Sequence, residues 1–147
     1  MAEQKQRILV SACLLGMHCR YDGKGNQNET VCHLQERAEL VPFCPEIYGG
    51  LATPRTPAER KDGKVVTKDG ADVTVQYEKG AREALRLAQQ LHCTAAVLKE
   101  RSPSCGSRQI YDGTFTGMRI EGMGVCAELL AQHGIRVYSE ETCENLL

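Results

Sequence analysis

Three of the eight cysteines in this chain stand just after segments with the pattern of β-strands. They are Cys13 after residues 8–12, Cys44 after residues 39–43, and Cys105 one loop after residues 95–98. If these strands are parallel neighbours, the three thiols meet at the carboxyl edge of one sheet, where open α/β proteins bind ligands. Three converging thiolates would suit a metal ion or an iron–sulfur cluster that keeps one coordination position open for chemistry.

The ligand types favour an iron–sulfur cluster over zinc. The three cysteines have no histidine close by at the same predicted edge, and thiolates are the ligands that hold [4Fe–4S] clusters. An iron without a protein ligand could bind a soft atom such as sulfur. A three-cysteine zinc site with an open water position is the competing interpretation. Cys19, in a predicted loop, is a reserve ligand. The other cysteines fall in or at the ends of predicted helices and are interpreted as helix-face residues: Cys32, Cys93, Cys126 and Cys143.

Groups suited to proton transfer stand beside these cysteines. Glu46 follows Cys44 by two residues, and Glu100 precedes Cys105 in the loop after the third strand. A glutamate beside a cluster in a cleft could carry protons, although most glutamates are solvated surface residues. The small polar loop around Cys105 could direct N–H groups inward, and its serines, Ser102 and Ser104, could hydrogen-bond a substrate or relay a proton.

The elements that must position these residues alternate between strands and helices. Apolar segments predict strands at 7–12, 39–43, 94–98 and 135–138, and helical spacing predicts helices at 30–37, 77–92 and 125–133, with a last helix after Ser139. Hairpins are predicted for 64–67 with 72–75 and around Asp112-Gly113. The pattern indicates a single α/β domain over residues 1–147, doubly wound and Rossmann- or flavodoxin-like, with about four mostly parallel strands and a small hairpin insert.

The composition of the 147 residues limits the partners and the cellular compartment that we expect for this protein. A net charge of −1 provides no basic surface, so a nucleic-acid partner is not expected. The apolar segments are too short to span a bilayer and the first residues lack a signal-peptide core, so we expect a cytosolic protein without membrane contact. In a reducing cytosol, cysteines serve as metal ligands or catalytic groups more often than as disulfides. The absence of any C-x₂-C pair argues against a zinc finger.

The sequence also resembles a small bacterial domain family whose characterised members are thiouracil desulfidases. The resemblance covers nearly the whole chain, in several motifs that keep a fixed order. The motifs include Ser11-Ala12-Cys13-Leu14-Leu15-Gly16, Cys44-Pro45-Glu46, Thr53-Pro54-Arg55, Gly70-Ala71-Asp72-Val73-Thr74 and Ser102-Pro103-Ser104-Cys105-Gly106-Ser107. The resemblance implies removal of sulfur from 2-thiouracil-type bases as hydrogen sulfide, without redox change, at a [4Fe–4S] cluster held by three cysteines.

By motif match the implied cluster ligands are Cys13, Cys44 and Cys105, and the implied catalytic groups are Glu46 and Ser102. The choice of Glu46 or Glu100 as the proton-transfer carboxylate stays open. The substrate is expected to be a small thiolated base, and a thionucleoside or a modified RNA base stays open too. Two other classes compete: a non-catalytic iron–sulfur or sulfur carrier, and a zinc-dependent hydrolase using the same cysteines. The second lacks the H-x-E and P-C-x-x-C signature of zinc deaminases. The sequence does not indicate an oligomeric state.

Overall fold

The computed structural model describes residues 5–146. A four-stranded parallel sheet is flanked by helices, and two antiparallel hairpins lie in the connections between its strands. Residues 1–4 and 147 of the predicted 1–147 domain lie outside the described part, and the single-domain assignment stays a prediction. The strands are β1 (Gln6–Ser11), β2 (Ala38–Phe43), β3 (Ala58–Lys61), β4 (Lys64–Thr67), β5 (Ala95–Leu98), β6 (Gln109–Tyr111), β7 (Arg119–Glu121) and β8 (Arg136–Ser139). The α-helices are α1 (Glu29–His33), α2 (Pro45–Tyr48), α3 (Thr74–Gln90) and α4 (Val125–Gln132).

The predicted parallel sheet is confirmed, and its strand order is β2-β1-β5-β8. All three pairings in it are parallel, with Leu9 opposite Val41 on one side and Ala96 on the other. Numbered among themselves, these four strands have the order 2-1-3-4, which is the beginning of the flavodoxin-like order. The chain passes from β1 to β2 on one side and then crosses to β5 on the other side of β1. Because the strand order reverses there, a crevice forms at the carboxyl ends of β1 and β5.

Two apolar layers cover the sheet because alternate side chains of each strand point to opposite faces. Ile8 and Val10 of β1 pack on the side of α1. Leu9 between them packs on the side of α3 and α4, against helix residues such as Ala84 and Leu130. The buried residues of α3 recur at helical spacing: Tyr77, Gly80, Ala81, Ala84 and Ala88. Among the helices of residues 5–146, none combines the length and apolar character that a membrane crossing requires.

The first hairpin differs from the prediction in its partner strand. β4 pairs with β3 instead of with residues 72–75, through an antiparallel register that places Lys61 opposite Lys64. The connection is Asp62-Gly63, whose φ angles of 51° and 78° are those of a two-residue hairpin turn. Asp72 keeps a single bridge to Val66, and the chain enters α3 two residues later. The local Asp62-Gly63 turn therefore determined the pairing.

Three further elements differ from the sequence prediction. β6 pairs with β7 across residues 112–118, so the connection is longer than a tight Asp112-Gly113 turn. The short helix α2 lies where the pattern indicated only a loop. The predicted last helix is wrong for the described residues, which have a turn and then a 3-10 helix at Cys143–Asn145. Glu140 in that turn accepts the backbone N–H of Glu100 at 2.8 Å, so a tertiary contact replaces the helix.

Candidate active site

A cavity of about 460 Å³ opens at the carboxyl ends of β1, β2 and β5. Its walls carry all three strand-end cysteines, together with carboxylates, serine hydroxyls and aromatic rings. The lining residues that matter for chemistry are Cys13, Cys19, Cys44, Cys105, Glu46, Tyr77, Ser102 and Ser104. The structure thus places the five residues predicted from sequence around one space, at the edge of the sheet where the strand pattern predicted them.

Cys13 and Cys44 reach the cavity from helical turns that begin where their strands end. Cys13 lies in a 3-10 helix, Ala12–Leu15, and its carbonyl accepts the N–H of Asn26 at 2.8 Å. Cys44 is the N-cap of α2, with Pro45 at the first helical position, where a missing N–H costs nothing. Both cysteines therefore have a fixed backbone, and both line the cavity.

Cys105 is positioned by the packing of its loop on α4. The first N–H groups of α4 have no partner within the helix, and loop carbonyls accept them: Pro103 O from Val125 at 2.9 Å, and Ser104 O from Cys126 at 2.8 Å. The approach is so close that a Cβ on Gly124 would lie 2.4 Å from the carbonyl carbon of Ser104. This docking fixes the backbone on either side of the Cys105 thiol.

Hydroxyl groups solvate the buried Cys105 thiol. Ser104 donates to its Sγ at 3.3 Å, and Ser11 lines the same cavity. Burial raises the pKa of Cys105 to about 12, with further contributions from the negative charges of Glu46 and Cys44, while the two serine hydroxyls lower it. A bound metal would remove this proton, since coordinating thiols are deprotonated outright.

Cys19 lines the same cavity as Cys13 and Cys44, and Cys44 directs its Sγ toward the Cys19 carbonyl oxygen at 3.8 Å. Interaction with Cys13, together with burial, raises the pKa of the Cys19 thiol to about 11. Interaction with Cys19, followed by burial, also raises the pKa of Cys44. The structure therefore brings the reserve ligand of the sequence analysis into the same thiol cluster, here defined as Cys13, Cys19, Cys44 and Cys105.

Glu46 faces the cavity with both carboxylate oxygens engaged. Tyr77 donates its O–H to Oε1 at 2.5 Å, and Arg55 donates from Nη2 to Oε2 at 2.5 Å. Burial, followed by the charge of Glu46, raises the pKa of Tyr77, so its hydroxyl stays protonated and donating. Arg55 also donates to the carbonyl of Cys19 at 3.0 Å, which ties the carboxylate to the thiol cluster.

Glu100, the alternative carboxylate, is committed to holding its own loop. Its carboxylate accepts the N–H groups of Ser107 at 2.9 Å and Arg108 at 3.1 Å, and the Ser107 hydroxyl at 2.7 Å. Burial alone would raise the pKa of Glu100, but these donors and the Gln109 N–H outweigh it and bring the pKa to about 2. A carboxylate with this many fixed donors is poorly suited to accept a catalytic proton.

Ser102 combines a backbone contact with access to the cavity. Its Oγ accepts the N–H groups of Ser104 and Cys105, each at 3.2 Å, and lies 3.0 Å from the Ser104 hydroxyl. Ser102, Ser104 and the Cys105 thiol therefore form one hydrogen-bonded chain. Arg101, directly before it, has φ of 67°, a left-handed conformation that is costly for a residue with a Cβ.

Three cationic residues that line the cavity are paired with carboxylates. Lys99 contacts Glu140 at 2.8 Å, Arg101 contacts Glu141 at 3.0 Å, and Arg20 contacts Asp22 at 3.7 Å. In the part of the chain that the structure describes, no three His, Cys, Asp or Glu side chains have the spacing of a site for one metal ion.

Sequence reasoning missed the two partners of Glu46. Tyr77 could have been found, because it is the one aromatic residue on the alanine-lined face of α3. Arg55 belongs to the motif Thr53-Pro54-Arg55 but gave no periodic signal, since it lies in a proline-containing loop, 9 residues from its carboxylate partner. An arginine in such a loop is ordinarily interpreted as solvent-exposed.

The fold and the site define an α/β protein with a cysteine-rich cavity at the carboxyl edge of a flavodoxin-like sheet. The model of the 2-thiouracil desulfurase family matches residues 8–142, and the chain belongs to that family. It is 45% identical to the uncharacterized protein YbbK of Bacillus subtilis strain 168, over 95% of this chain and 99% of YbbK. A solved structure of the [4Fe–4S]-dependent thiouracil desulfidase TudS superposes with a TM-score of 0.91, at 46% identity, over 97% of this chain and 95% of TudS.

Proposed function

We propose that this protein is a [4Fe–4S]-dependent desulfidase that removes sulfur from a small thiolated base of the 2-thiouracil type. One observation carries the proposal: Cys13, Cys44 and Cys105 line a single cavity together with Glu46 and Ser102. Family membership and the likeness to TudS support the same activity. The overall reaction consumes one water and releases the oxygenated base and hydrogen sulfide, with no change of oxidation state.

The residues around the cavity fit an anionic thiolate-held cluster. Cys13, Cys44 and Cys105 would hold it, because each comes from the end of a different strand and leaves a space between the thiols. Within residues 5–146, Nε of Arg55 is the buried side-chain nitrogen that has no hydrogen-bond partner, and its charge interacts with Cys44. A buried cationic donor next to thiols matches a negatively charged occupant. When bound, the cluster would supply an iron without a protein ligand, a soft Lewis acid suited to the sulfur of a thiocarbonyl group.

Glu46 is the residue best placed to remove the proton from the attacking water. Glu46 and Glu100 both line the cavity, but the carboxylate of Glu100 is held by backbone N–H groups. Arg55 and Tyr77 keep the Glu46 carboxylate in one orientation, so its reaction geometry is preorganised. Ser102 holds or returns a proton through its hydroxyl, which is already part of the chain leading to Cys105.

The surroundings of the site indicate a small substrate in a reducing compartment. All eight cysteines lie within residues 5–146 and are free thiols, which favours the cytoplasm. The net charge of −1 disfavours a polynucleotide substrate. A free thiobase is therefore the preferred substrate of the proposal, and a thionucleoside is the first alternative.

Anaerobic reconstitution with iron and sulfide tests the proposed function. We expect the wild-type protein to bind iron and sulfide in equal amounts and to convert 2-thiouracil into uracil and hydrogen sulfide. Cys13→Ala, Cys44→Ala and Cys105→Ser should each lose both properties. Cys32→Ala is a matched control, because Cys32 bonds to Leu14 O at 3.9 Å and does not line the cavity. Cluster binding without turnover would favour the carrier alternative, and zinc in place of iron would favour the hydrolase.

A further inference from the structure

Part of the cavity wall comes from the two hairpins rather than from the strand ends of the parallel sheet. The connection 112–118 between β6 and β7 contributes Phe115 and Gly117 to the cavity lining, and β3 of the other hairpin contributes Glu59. None of these residues has a role in the proposed reaction. The contacts that hold the two hairpins together determine the shape of this part of the cavity.

One carboxylate oxygen joins the two hairpins. Oε1 of Glu59 accepts the backbone N–H of Gly113 at 2.9 Å and that of Phe115 at 3.1 Å, across 54 and 56 residues of sequence. Within residues 5–146, the other hydrogen bonds of the connection 112–118 are internal to it. Glu59 is therefore the hydrogen-bonded attachment of this connection to the rest of the described chain.

The backbone of the connection has a conformation that needs such an attachment. Gly113 and Phe115 have φ angles of 96° and 58°, both in the left-handed region. This region is unfavourable for a phenylalanine, and a residue remains there only where its surroundings hold it. The hairpins are also in direct contact, since a Cβ on Gly113 would lie 2.5 Å from the Cβ of Lys61 at the end of β3.

Phe115 is the residue of the connection that is suited to contact a base. It lines the cavity, whereas its apolar neighbour Met118 is 63% exposed and does not. Aromatic side chains stack on the flat face of a nucleobase, and they tolerate changes at the edge of the base because the contact uses the ring face alone. A thiolated base of the 2-thiouracil type presents such a face.

We propose that Phe115 contacts the substrate by stacking on the base, and that Glu59 is the positioning residue that holds Phe115 in place. The inference rests on the proposed function, because it concerns the thiolated base. Glu59 acts through the backbone of the connection 112–118 and takes no part in the proton transfer assigned to Glu46. Loss of either residue should weaken substrate binding and leave the chemical step unchanged, so KM should rise at constant kcat.

Steady-state kinetics with 2-thiouracil, on variants reconstituted without oxygen, tests the two roles. Phe115→Ala should raise KM about 5–150-fold, the range that corresponds to losing the stacking of one base. Glu59→Ala should raise KM no further than Phe115→Ala does, and the double variant should match Phe115→Ala, because both changes remove the same contact. Glu59→Gln keeps an oxygen acceptor for the two N–H groups and should retain the wild-type KM.

Two exposed residues of the β6–β7 hairpin supply the matched controls. Glu121 lies in β7, Met118 lies in the connection, and neither lines the cavity. Glu121→Ala and Met118→Ala should keep the wild-type KM. An unchanged KM in Phe115→Ala would overturn the stacking role. A fall in kcat at unchanged KM in Glu59→Ala, or a KM of Glu59→Gln as high as that of Glu59→Ala, would overturn the positioning role.

Amide hydrogen exchange of the protein without a cluster tests the attachment independently of catalysis. The amides of Gly113 and Phe115 should be protected in the wild type and in Glu59→Gln, and should exchange faster in Glu59→Ala. Unchanged protection in folded Glu59→Ala would show that Glu59 does not hold the connection. If the reconstituted wild type does not convert 2-thiouracil, the proposed function fails and the stacking role fails with it, whereas the exchange measurement still decides the role of Glu59.

Discussion

Arg55 and Glu46 form an ion pair at 2.5 Å in which the two side chains are only 8% and 16% exposed. An exposed pair of this kind contributes little to stability, but here the same arginine also holds the Cys19 carbonyl. The pair therefore links the proposed catalytic carboxylate to the thiol cluster. We expect the ion pair to affect the orientation of the Glu46 carboxylate more than the stability of the fold.

Arg55→Lys tests this orienting role. A lysine keeps the charge but has one nitrogen on a flexible stem, whereas Arg55 contacts Glu46 and the Cys19 carbonyl from Nη2 while the Ala52 carbonyl holds Nη1, so lysine cannot keep this orientation. We expect kcat to fall about 10–100-fold with iron content retained, as for other partners of a metal site's ligands. Steady-state kinetics with iron analysis measures the effect. Arg82→Lys, on the exposed face of α3, is the matched control; equal kcat values in the two variants would contradict the role.

Tyr77→Phe tests the other contact of the carboxylate. The change removes the O–H that donates to Glu46 Oε1 and leaves the ring in its buried place. We expect a stability loss of about 1 kcal/mol, the usual net value of one hydrogen bond, together with a lower kcat. Urea unfolding and kinetics give the two numbers. Tyr48→Phe is the comparison, since Tyr48 is 59% exposed and the carboxylate oxygens of Glu46 are bonded to Tyr77 and Arg55 instead. A drop in kcat of equal size in Tyr48→Phe would contradict an orienting role of the Tyr77 hydroxyl.

Glu100→Gln should change the acid stability of the protein. The pKa of Glu100 is lowered from 4.5 to about 2, so its stabilising effect is complete above pH 4.5 and is lost as the pH falls toward 2. The variant lacks this contribution, which we expect to be roughly 2–3 kcal/mol near neutral pH. Its free energy of unfolding should therefore fall less steeply than that of the wild type between pH 4.5 and 2.

Urea titrations at several pH values measure this slope, and Glu78→Gln, on the exposed side of α3, is the control. The pH profile of activity provides a second criterion. If Glu100 only anchors the loop that carries Ser102 and Cys105, the variant keeps a wild-type pH profile for kcat at reduced stability. A displaced profile with unchanged stability would instead make Glu100 the proton-transfer group.

The sequence predicted the sheet and the position of the cysteines because both depend on local pattern. Strand segments rich in buried apolar residues are recognisable alone, and parallel strands bring Cys13 and Cys44 to one edge by topology. The contacts that depend on distant partners were not predictable. Glu140 lies where the sequence predicts the start of a helix, but its carboxylate accepts the N–H of Glu100, which is 40 residues away in sequence. No local pattern distinguishes the predicted helix from this tertiary contact.

Gly80→Ala tests how the packing of two helices positions the site. Gly80 lies in the middle of α3, where alanine would favour the helix by about 1 kcal/mol. A Cβ at this position, however, would lie 1.9 Å from the carbonyl oxygen of Pro45, which is backbone and cannot turn away. The α2 segment that carries Glu46 must then move. We expect a net destabilisation of about 1–3 kcal/mol from overpacking and a loss of activity.

Thermal unfolding and kinetics of Gly80→Ala check both effects, with Gln89→Ala as the control for helix propensity on the exposed face of α3. The control should be equally stable or slightly more stable, and fully active. Because the first atoms displaced belong to Pro45 and its neighbours, activity should fall even at temperatures where the variant remains folded. A variant of Gly80 that gains stability like the control would show that α2 and α3 do not touch at this point, and the preorganisation of Glu46 would then need another source.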